Sequence, residues 1–462
     1  MTEHTTVAII GGGVAGLTLA NALEQAGIAY ILWEGHDQIA PPAGASLGLM
    51  PNGLRILDQL GVVDEVEKYA VPHDSWEHRD GDDPDGRLYN TFRAMRGYRD
   101  ELGYGGFFLE RQCFLEILYQ NIKDKTRIHT KKKVVRVQSL DAKAIVTAAD
   151  GSQISCDVVA GADGVKSAVR AEMEAMSLAS GGGGVSRDSN FLSTKYACVY
   201  GISSPLPAIK PGKAFTIYRK DVSLLIVTGI GGVIYWFVFQ DLKASIPFGQ
   251  TPRYTQADVE ALCGIVADTI VTDGVRFADI FKNRTTAVMT ALQEGVVDTW
   301  FAGRLVLLGD SGHKMVPHAA MGANLAMESA ACLVNRLLEL RERHPSLQQQ
   351  HIPLDTLQSS LREYSRNRTA RAADVVRLAN SACCAQLKAG PAEEAYICNI
   401  LPTLTNEAWL ARALGSLCKA EKLENWHRQS DRVAFYTRQA ERIRQRMEME
   451  RLEREKENGL GQ

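Results

Sequence analysis

The chain opens with a short apolar run, Val7 to Ile10, that breaks on three glycines and resumes as "VAGLTLANALEQAG". Four consecutive apolar residues suit a strand buried on both faces. Leu17, Leu19, Ala20 and Leu23 then give a helix its apolar side, and Gly27 ends it. "AYILWE" returns to a strand, so the opening reads strand, glycine turn, helix, strand. "GASLGLMPNGLRILDQLG" follows as a small-residue strand leading into a helix, where a simple dehydrogenase would continue with further βαβ units. Next come an acidic, turn-rich stretch, a helix from Arg111 to Ile122, and the short strands "VVRVQSL", "AIVTAAD" and "CDVVAGAD". From Tyr196 to Gln240 the pattern becomes alternating and aromatic, as in an antiparallel sheet with one face over a cavity. "LVLLGD" is another buried strand, followed by the helix "GANLAMESAACLVNRLLELRER". Beyond His351 the pattern is helical and ends in the charged "YTRQAERIRQRMEMERLEREKE". The glycine-rich "ASGGGGVSRDSN", Ala179 to Asn190, reads as a boundary or loop. The fold class expected is α/β, with an added antiparallel sheet and a helical C-terminal region.

At 462 residues the chain is long enough for two or three domains. Its formal net charge of −2 gives no reason to expect nucleic acid or an anionic membrane as a partner. Nine cysteines without CxxC pairs point to reduced thiols and an intracellular setting. The polar start "MTEHTT" does not read as a signal peptide, and no run of about 18 apolar residues predicts a membrane span.

Three motifs carry chemistry. Gly11, Gly13 and Gly16 form G-x-G-x-x-G between the first strand and its helix. Gly11 allows the tight turn, Gly13 lets backbone approach a pyrophosphate, and Gly16 lets helix and strand pack closely. Glu34 closes the second strand, 23 residues after Gly11, where a carboxylate accepts both hydroxyls of an adenosine ribose. The fingerprint alone does not separate NAD from FAD. The second motif, "CDVVAGADGVKSAVR", carries Asp163, Ser167 and Arg170. The third, "LVLLGDSGHKMVPHAAMGANLAMESA", carries Asp310, His313 and Pro317. GDSG is also how trypsin-like proteases present a serine. However, Gly312 is followed by His313 rather than glycine, and the surroundings are α/β, so Ser311 is not expected to be a nucleophile. His313 and His318 share no helix face, and no metal site is expected.

In this order the three motifs resemble the group A flavoprotein monooxygenases, which share the fold of p-hydroxybenzoate hydroxylase. "YACVYGIS", "VIYWFVF" and "PRYTQADVE" are similar to a fungal branch of the paxilline epoxidase type. The resemblance implies a Rossmann-like FAD-binding domain built from 1–75, 103–180 and 278–375. It implies a substrate domain from 76–102 and 185–277, and a helical region over 376–462. It implies that Asp310 holds the flavin ribityl chain, Glu34 the adenosine ribose, and that Gly48 lies along the flavin. Arg111 reaches the cofactor, Asp163 lies near the pyrophosphate with Arg170 supporting its loop, and Gly322 and Ala323 offer N–H groups to the flavin ring. One departure stands out: Ala320-Met321 replaces the usual Gly-Gln, costing a glycine's freedom and adding an apolar side chain beside the flavin. Ser329 likewise stands where an aspartate is usual.

The resemblance further implies NADPH as a transient reductant and O2 addition to give a flavin C4a-hydroperoxide. Epoxidation or hydroxylation of a lipophilic terpenoid, meroterpenoid or indole metabolite follows. Excluding water calls for an apolar, aromatic pocket, for which Tyr218, Tyr235, Trp236 and Phe237 are candidates. Tyr218 is the catalytic candidate, able to hydrogen-bond a substrate oxygen, and Arg219 and Lys195 are further candidates for forming a phenolate. Aromatic or indole oxidation with rearrangement, and a flavin-binding protein without turnover, are the alternatives. Relatives of this branch often carry membrane-embedding segments near the C-terminus. The charged helix here points instead to a soluble, cytoplasmic protein or one peripheral to an internal membrane.

Overall fold

The computed structural model describes residues 3–42, 44, 46–179, 192–345 and 351–459. Most of the glycine-rich stretch Ala179–Asn190 lies outside them. Two large sheets organise the chain. In the first, Glu3–Ile10 lies between Gln153–Gly161 and Tyr30–Trp33, and all three run parallel. Leu305–Leu307 extends it parallel on one side and Ile128–His129 on the other. Val7, Ala8 and Ile9 have no exposed surface, as a strand covered on both faces requires. Helices Val14–Gln25 and Gly322–Arg343 pack against each other beside this sheet.

The second sheet is antiparallel over most of its width. Its order runs His313–Lys314, Arg284–Val296, Ser193–Ser203, Ile234–Pro247, Val222–Thr228, Lys213–Tyr218, Ser75–Asp80 and Leu88–Phe92. The last two strands fall within the stretch read as acidic and turn-rich. Their sequences, "SWEHRD" and "LYNTF", are too polar to signal a strand. They form because Ser75–Asp80 pairs in parallel with Lys213–Tyr218, and only tertiary structure supplies that partner.

Alternation divides the faces of this sheet. Phe215, Ile217, Leu224, Ile226, Trp236 and Val238 build a core that faces away from the first sheet. Leu225, Val227, Tyr235, Phe237 and Phe239 join the main core with the first sheet. Trp236 therefore does not line the inner face as the sequence reading expected. Its indole is fully buried on the far side, donates to Ser203 Oγ at 2.8 Å, and packs edge-on against Phe277.

The C-terminal region is helical: Leu354–Gln386, Asn406–Leu417 and Asp431–Gly459 are its long elements. Buried charge pins it in place. Glu328, with no exposed surface, accepts from Arg368 at 3.0 Å, Arg371 at 3.1 Å and Asn52 at 2.7 Å. Lys388 reaches Asp80 at 2.7 Å and Asp82 at 2.8 Å. All nine cysteines are free. Among the described residues no helix is long and apolar enough to cross a membrane.

Burial would raise the Glu328 pKa, but the two arginines and Asn52 outweigh it and hold the carboxyl at about 2. The folded-state pKa lies below that of the unfolded chain, so its contribution is complete above about pH 4.5 and is lost as pH falls toward about 2. Glu328→Ala strands two buried guanidinium groups and is expected to cost about 3–5 kcal/mol in urea unfolding at neutral pH. It should also flatten the acid limb of the stability curve.

Candidate cofactor site

The carboxyl ends of the first sheet enclose a cavity of about 680 Å³. Gly11, Gly13, Glu34, Arg111, Asp163, Asp310, Gly322 and Ala323 all line it. Residues spread over some 300 positions meet here because parallel strands end together and their following turns share one edge.

The glycines act in three distinct ways. Gly11 has φ +105°, and a Cβ there would lie 2.4 Å from the Ala162 carbonyl oxygen. A Cβ on Gly16 would lie 1.9 Å from the Gly11 oxygen, so Gly16 sets the contact between helix and strand without lining the cavity. Gly13 is different: a Cβ there would meet no protein atom within 4 Å. The protein does not need that position bare, and a ligand approaching the helix N-terminus does. Gly322, at the start of its own helix, has the same open space beside it. Gly48 lies behind the wall on Ser46–Leu49, with its neighbour Leu47 on the cavity. A Cβ on Gly48 would press on Ala320 at 2.8 Å.

The charged groups divide into those the protein uses and those it leaves over. Glu34 accepts from the Gly12 N–H at 2.6 Å and the His36 N–H at 2.8 Å, which aims its carboxylate along the cavity edge. Asp163 caps the helix Ala168–Ala179 through Oδ2, at 2.7 Å from the Ala168 N–H, while its Oδ1 has no partner. Burial raises its pKa. Arg170 donates to the Ser311 carbonyl at 2.8 Å and the Val165 carbonyl at 2.5 Å, fastening the Asp163 loop to the Asp310 turn. Asp310 pairs with Lys314. Burial would raise the Asp310 pKa, but Lys314, His313 and Arg111 together hold it below the usual range. Arg111 makes no side-chain hydrogen bond to any described residue, although Asp310 and Glu34 act on it through space. Five donors on a cavity wall without a protein acceptor suit an anionic ligand.

Ser311 is structural. Its hydroxyl bonds the Gly161 carbonyl at 2.6 Å and the Leu308 carbonyl at 2.8 Å, with no exposed surface. His313 stacks on Trp300 and neither of its ring nitrogens hydrogen-bonds Ser311, so the two do not form a serine–histidine pair.

Tyr218 is not brought to this cavity. Its ring packs with Tyr89, Phe92, Ile397 and Leu401, and its hydroxyl meets His78 Nδ1 at 2.8 Å. It ends its strand, where the inner face has already passed the first sheet and met the C-terminal region. Burial pushes its pKa up, which disfavours any role as a base.

Asn324 was missed from sequence. It is fully buried, donates to the Gly48 carbonyl at 2.9 Å and the Ala320 carbonyl at 2.7 Å, and accepts from the Met50 N–H at 3.0 Å. A polar residue on the buried side of an apolar helix was the available signal. It clamps the strand carrying Gly48 to the loop before Gly322. In that loop Ala320 has φ +51°, the left-handed region where glycine is favoured, so the departure noted in the sequence falls on a strained residue.

The FAD binding domain family matches residues 4–197 and 278–379, and the chain belongs to that family. The FAD-dependent monooxygenase andE of Emericella variicolor is 40% identical over 343 residues, 73% of this chain and 71% of that one. The FAD-dependent monooxygenase atmM of Aspergillus flavus is 36% identical over 372 residues, 80% and 76% of the two chains. Among solved structures, Klebsiella pneumoniae HpxO complexed with FAD and uric acid superposes with a TM-score of 0.71 at 22% identity, covering 90% of this chain and 97% of that one. The p-nitrophenol 4-monooxygenase PnpA of Pseudomonas putida gives 0.69 at 18%, covering 90% and 99%. These two show the shared fold. The bare Gly13, the unspent Arg111 and the open N-terminus at Gly322 fit the phosphates and ring of FAD, the cofactor of this family.

Gly13→Val is expected to abolish the visible flavin absorbance of the purified protein while lowering the stability of the apoprotein by no more than about 1 kcal/mol, the cost of exchanging the glycine N-cap. Gly16→Ala, against the Gly11 oxygen, should instead lower stability by about 1–3 kcal/mol. Ala320→Gly relieves the left-handed strain and should raise Tm, in a thermal scan, by a few degrees at most.

Proposed function

We propose that this chain is an FAD-dependent, NAD(P)H-consuming monooxygenase that delivers one atom of O2 to a lipophilic secondary metabolite of terpenoid, meroterpenoid or indole type. The carrying observation is the cavity at the carboxyl ends of the first sheet, with Arg111 unspent and Gly13 facing open space. Identities of 36–40% to fungal proteins named FAD-dependent monooxygenases support it.

In this reading the N-terminus of Val14–Gln25 faces the pyrophosphate, with Arg111 and the Asp163 loop beside it. Glu34 takes the adenosine ribose and Asp310 the ribityl chain. Gly322 and Ala323 present N–H groups at the start of a 22-residue helix, whose positive end favours negative charge on the ring. Gly48 supports this wall from behind, where a Cβ would press on Ala320. When bound, FAD supplies hydride acceptance from NAD(P)H and activation of O2.

The protein's own contribution beyond binding is exclusion of water. Leu225, Val227, Tyr235, Phe237 and Phe239 form an apolar inner face on the second sheet, the part proposed to hold substrate. Phe239 lies 4.1 Å from the His318 ring, which closes the sheet onto the loop carrying Ala320. Burial pulls the His318 pKa down to about 3, so it stands there neutral. A buried face with no charged side chain among these residues suits electrophilic oxygen transfer to an electron-rich carbon.

The visible spectrum of the purified protein, before and after anaerobic NADPH, tests the reading. Flavin bands that bleach, followed in air by an oxygenated product from a candidate terpenoid or indole, are expected. A colourless protein that takes up no added FAD would sink it. Tyr218→Phe is expected to leave the shape of the pH–rate profile unchanged, because that hydroxyl is held by His78.

A further inference from the structure

Three side chains from remote parts of the chain meet at the opposite end of the first sheet. His4 lies in Glu3–Ile10 and Asp157 in Gln153–Gly161. His351 lies just ahead of Leu354–Gln386. Glu3 pairs with Ile154 near the amino ends of the two strands, far from the glycine turn at their carboxyl ends.

One nitrogen from each histidine and one carboxylate oxygen lie within 4.8 Å of one another. His351 Nδ1 is 3.0 Å from one oxygen of Asp157, and His4 Nε2 is 3.8 Å from the other. In a tetrahedral zinc site, with ligands about 2.0–2.2 Å from the metal, neighbouring ligand atoms stand about 3.4 Å apart. The two observed separations, one to each oxygen of Asp157, lie on either side of that value, and the three ligand atoms stay within 4.8 Å of one another. The imidazole rings stand nearly perpendicular, 4.5 Å between centroids, and each has a nitrogen within 3.8 Å of the carboxylate.

The surroundings orient the set. His4 Nδ1 bonds Ser155 Oγ at 3.2 Å, which holds the ring and turns Nε2 toward Asp157. The Asp157 side chain is only 6% exposed, whereas those of His4 and His351 are 38% and 57% exposed. A buried carboxylate under two accessible imidazoles leaves an entry path and room for a water as fourth ligand. Lys143 acts on His4 through space and opposes a cation, so the site should be weaker than one with four protein ligands.

We propose that His4, Asp157 and His351 form a zinc site that clamps the N-terminal strand and the approach to the long C-terminal helix onto the strand Gln153–Gly161. A cation there would join segments nearly 350 positions apart, and by binding only the folded chain it would stabilise it. The inference is independent of the proposed oxygenation, since the site lies at the other end of the sheet from the cofactor cavity.

The test is a titration of the chelator-treated holoenzyme with zinc chloride, followed by calorimetry and by thermal unfolding. One zinc per chain and a higher Tm are expected. His351→Ala and His4→Gln should each weaken binding by at least about tenfold and abolish the rise in Tm, with flavin content unchanged. Zinc binding of unaltered affinity in both variants, or none in the parent protein, overturns the assignment. A scan without zinc shows whether each variant is folded, and His4→Gln, which keeps a polar side chain of similar length on the strand, decides the matter if His351→Ala is not.

Discussion

The buried carboxylate of Glu328 holds three helices at one point. It sits on Gly322–Arg343, accepts from Asn52 on Pro51–Gln59, and pairs with Arg368 and Arg371 on Leu354–Gln386. Removing the carboxylate would leave the Arg368 and Arg371 guanidinium groups without their shared counter-charge. Glu328 lies about 1.7 turns along the helix from Gly322, so the triad fixes the direction in which that helix starts. Asn324, two residues past Gly322, carries the same constraint to the strand Ser46–Leu49. The cofactor wall thus depends on a network that touches no cofactor.

Within that wall the polar groups follow a simple division. Ser311, Arg170 and one oxygen of Asp163 are spent on backbone groups and hold turns in place. Arg111 and the backbone N–H groups at two helix starts remain for a ligand. Burial lowers the Arg111 pKa, a cost that an anionic ligand would offset. The GDSG string illustrates the point: its aspartate faces the cavity, while its serine is satisfied by two carbonyls.

The second sheet places its chemistry by register. Trp236 and Phe237 are neighbours in sequence but face opposite cores, because side chains alternate along a strand. Aromatic content along "VIYWFVFQ" revealed a sheet with a covered face but not which residues would cover it. Tyr218 shows the same limit, since its strand continues past the first sheet into contact with the C-terminal region.

The glycine turn, the helix that follows it, the helix Gly322–Arg343 and the carboxylates at strand ends were legible because each is encoded within a few residues. Steric freedom at Gly11, apolar spacing and helix capping act locally, so local order is enough to read them. The pairing of Ser75–Asp80, the clamp by Asn324, the charge triad at Glu328 and the meeting of His4, Asp157 and His351 were not legible. Each joins residues tens to hundreds of positions apart through one register or one helix crossing. Sequence by itself determined which local devices this protein owns, and the packing of the sheets and helices alone decided which groups meet and which stay unpaired.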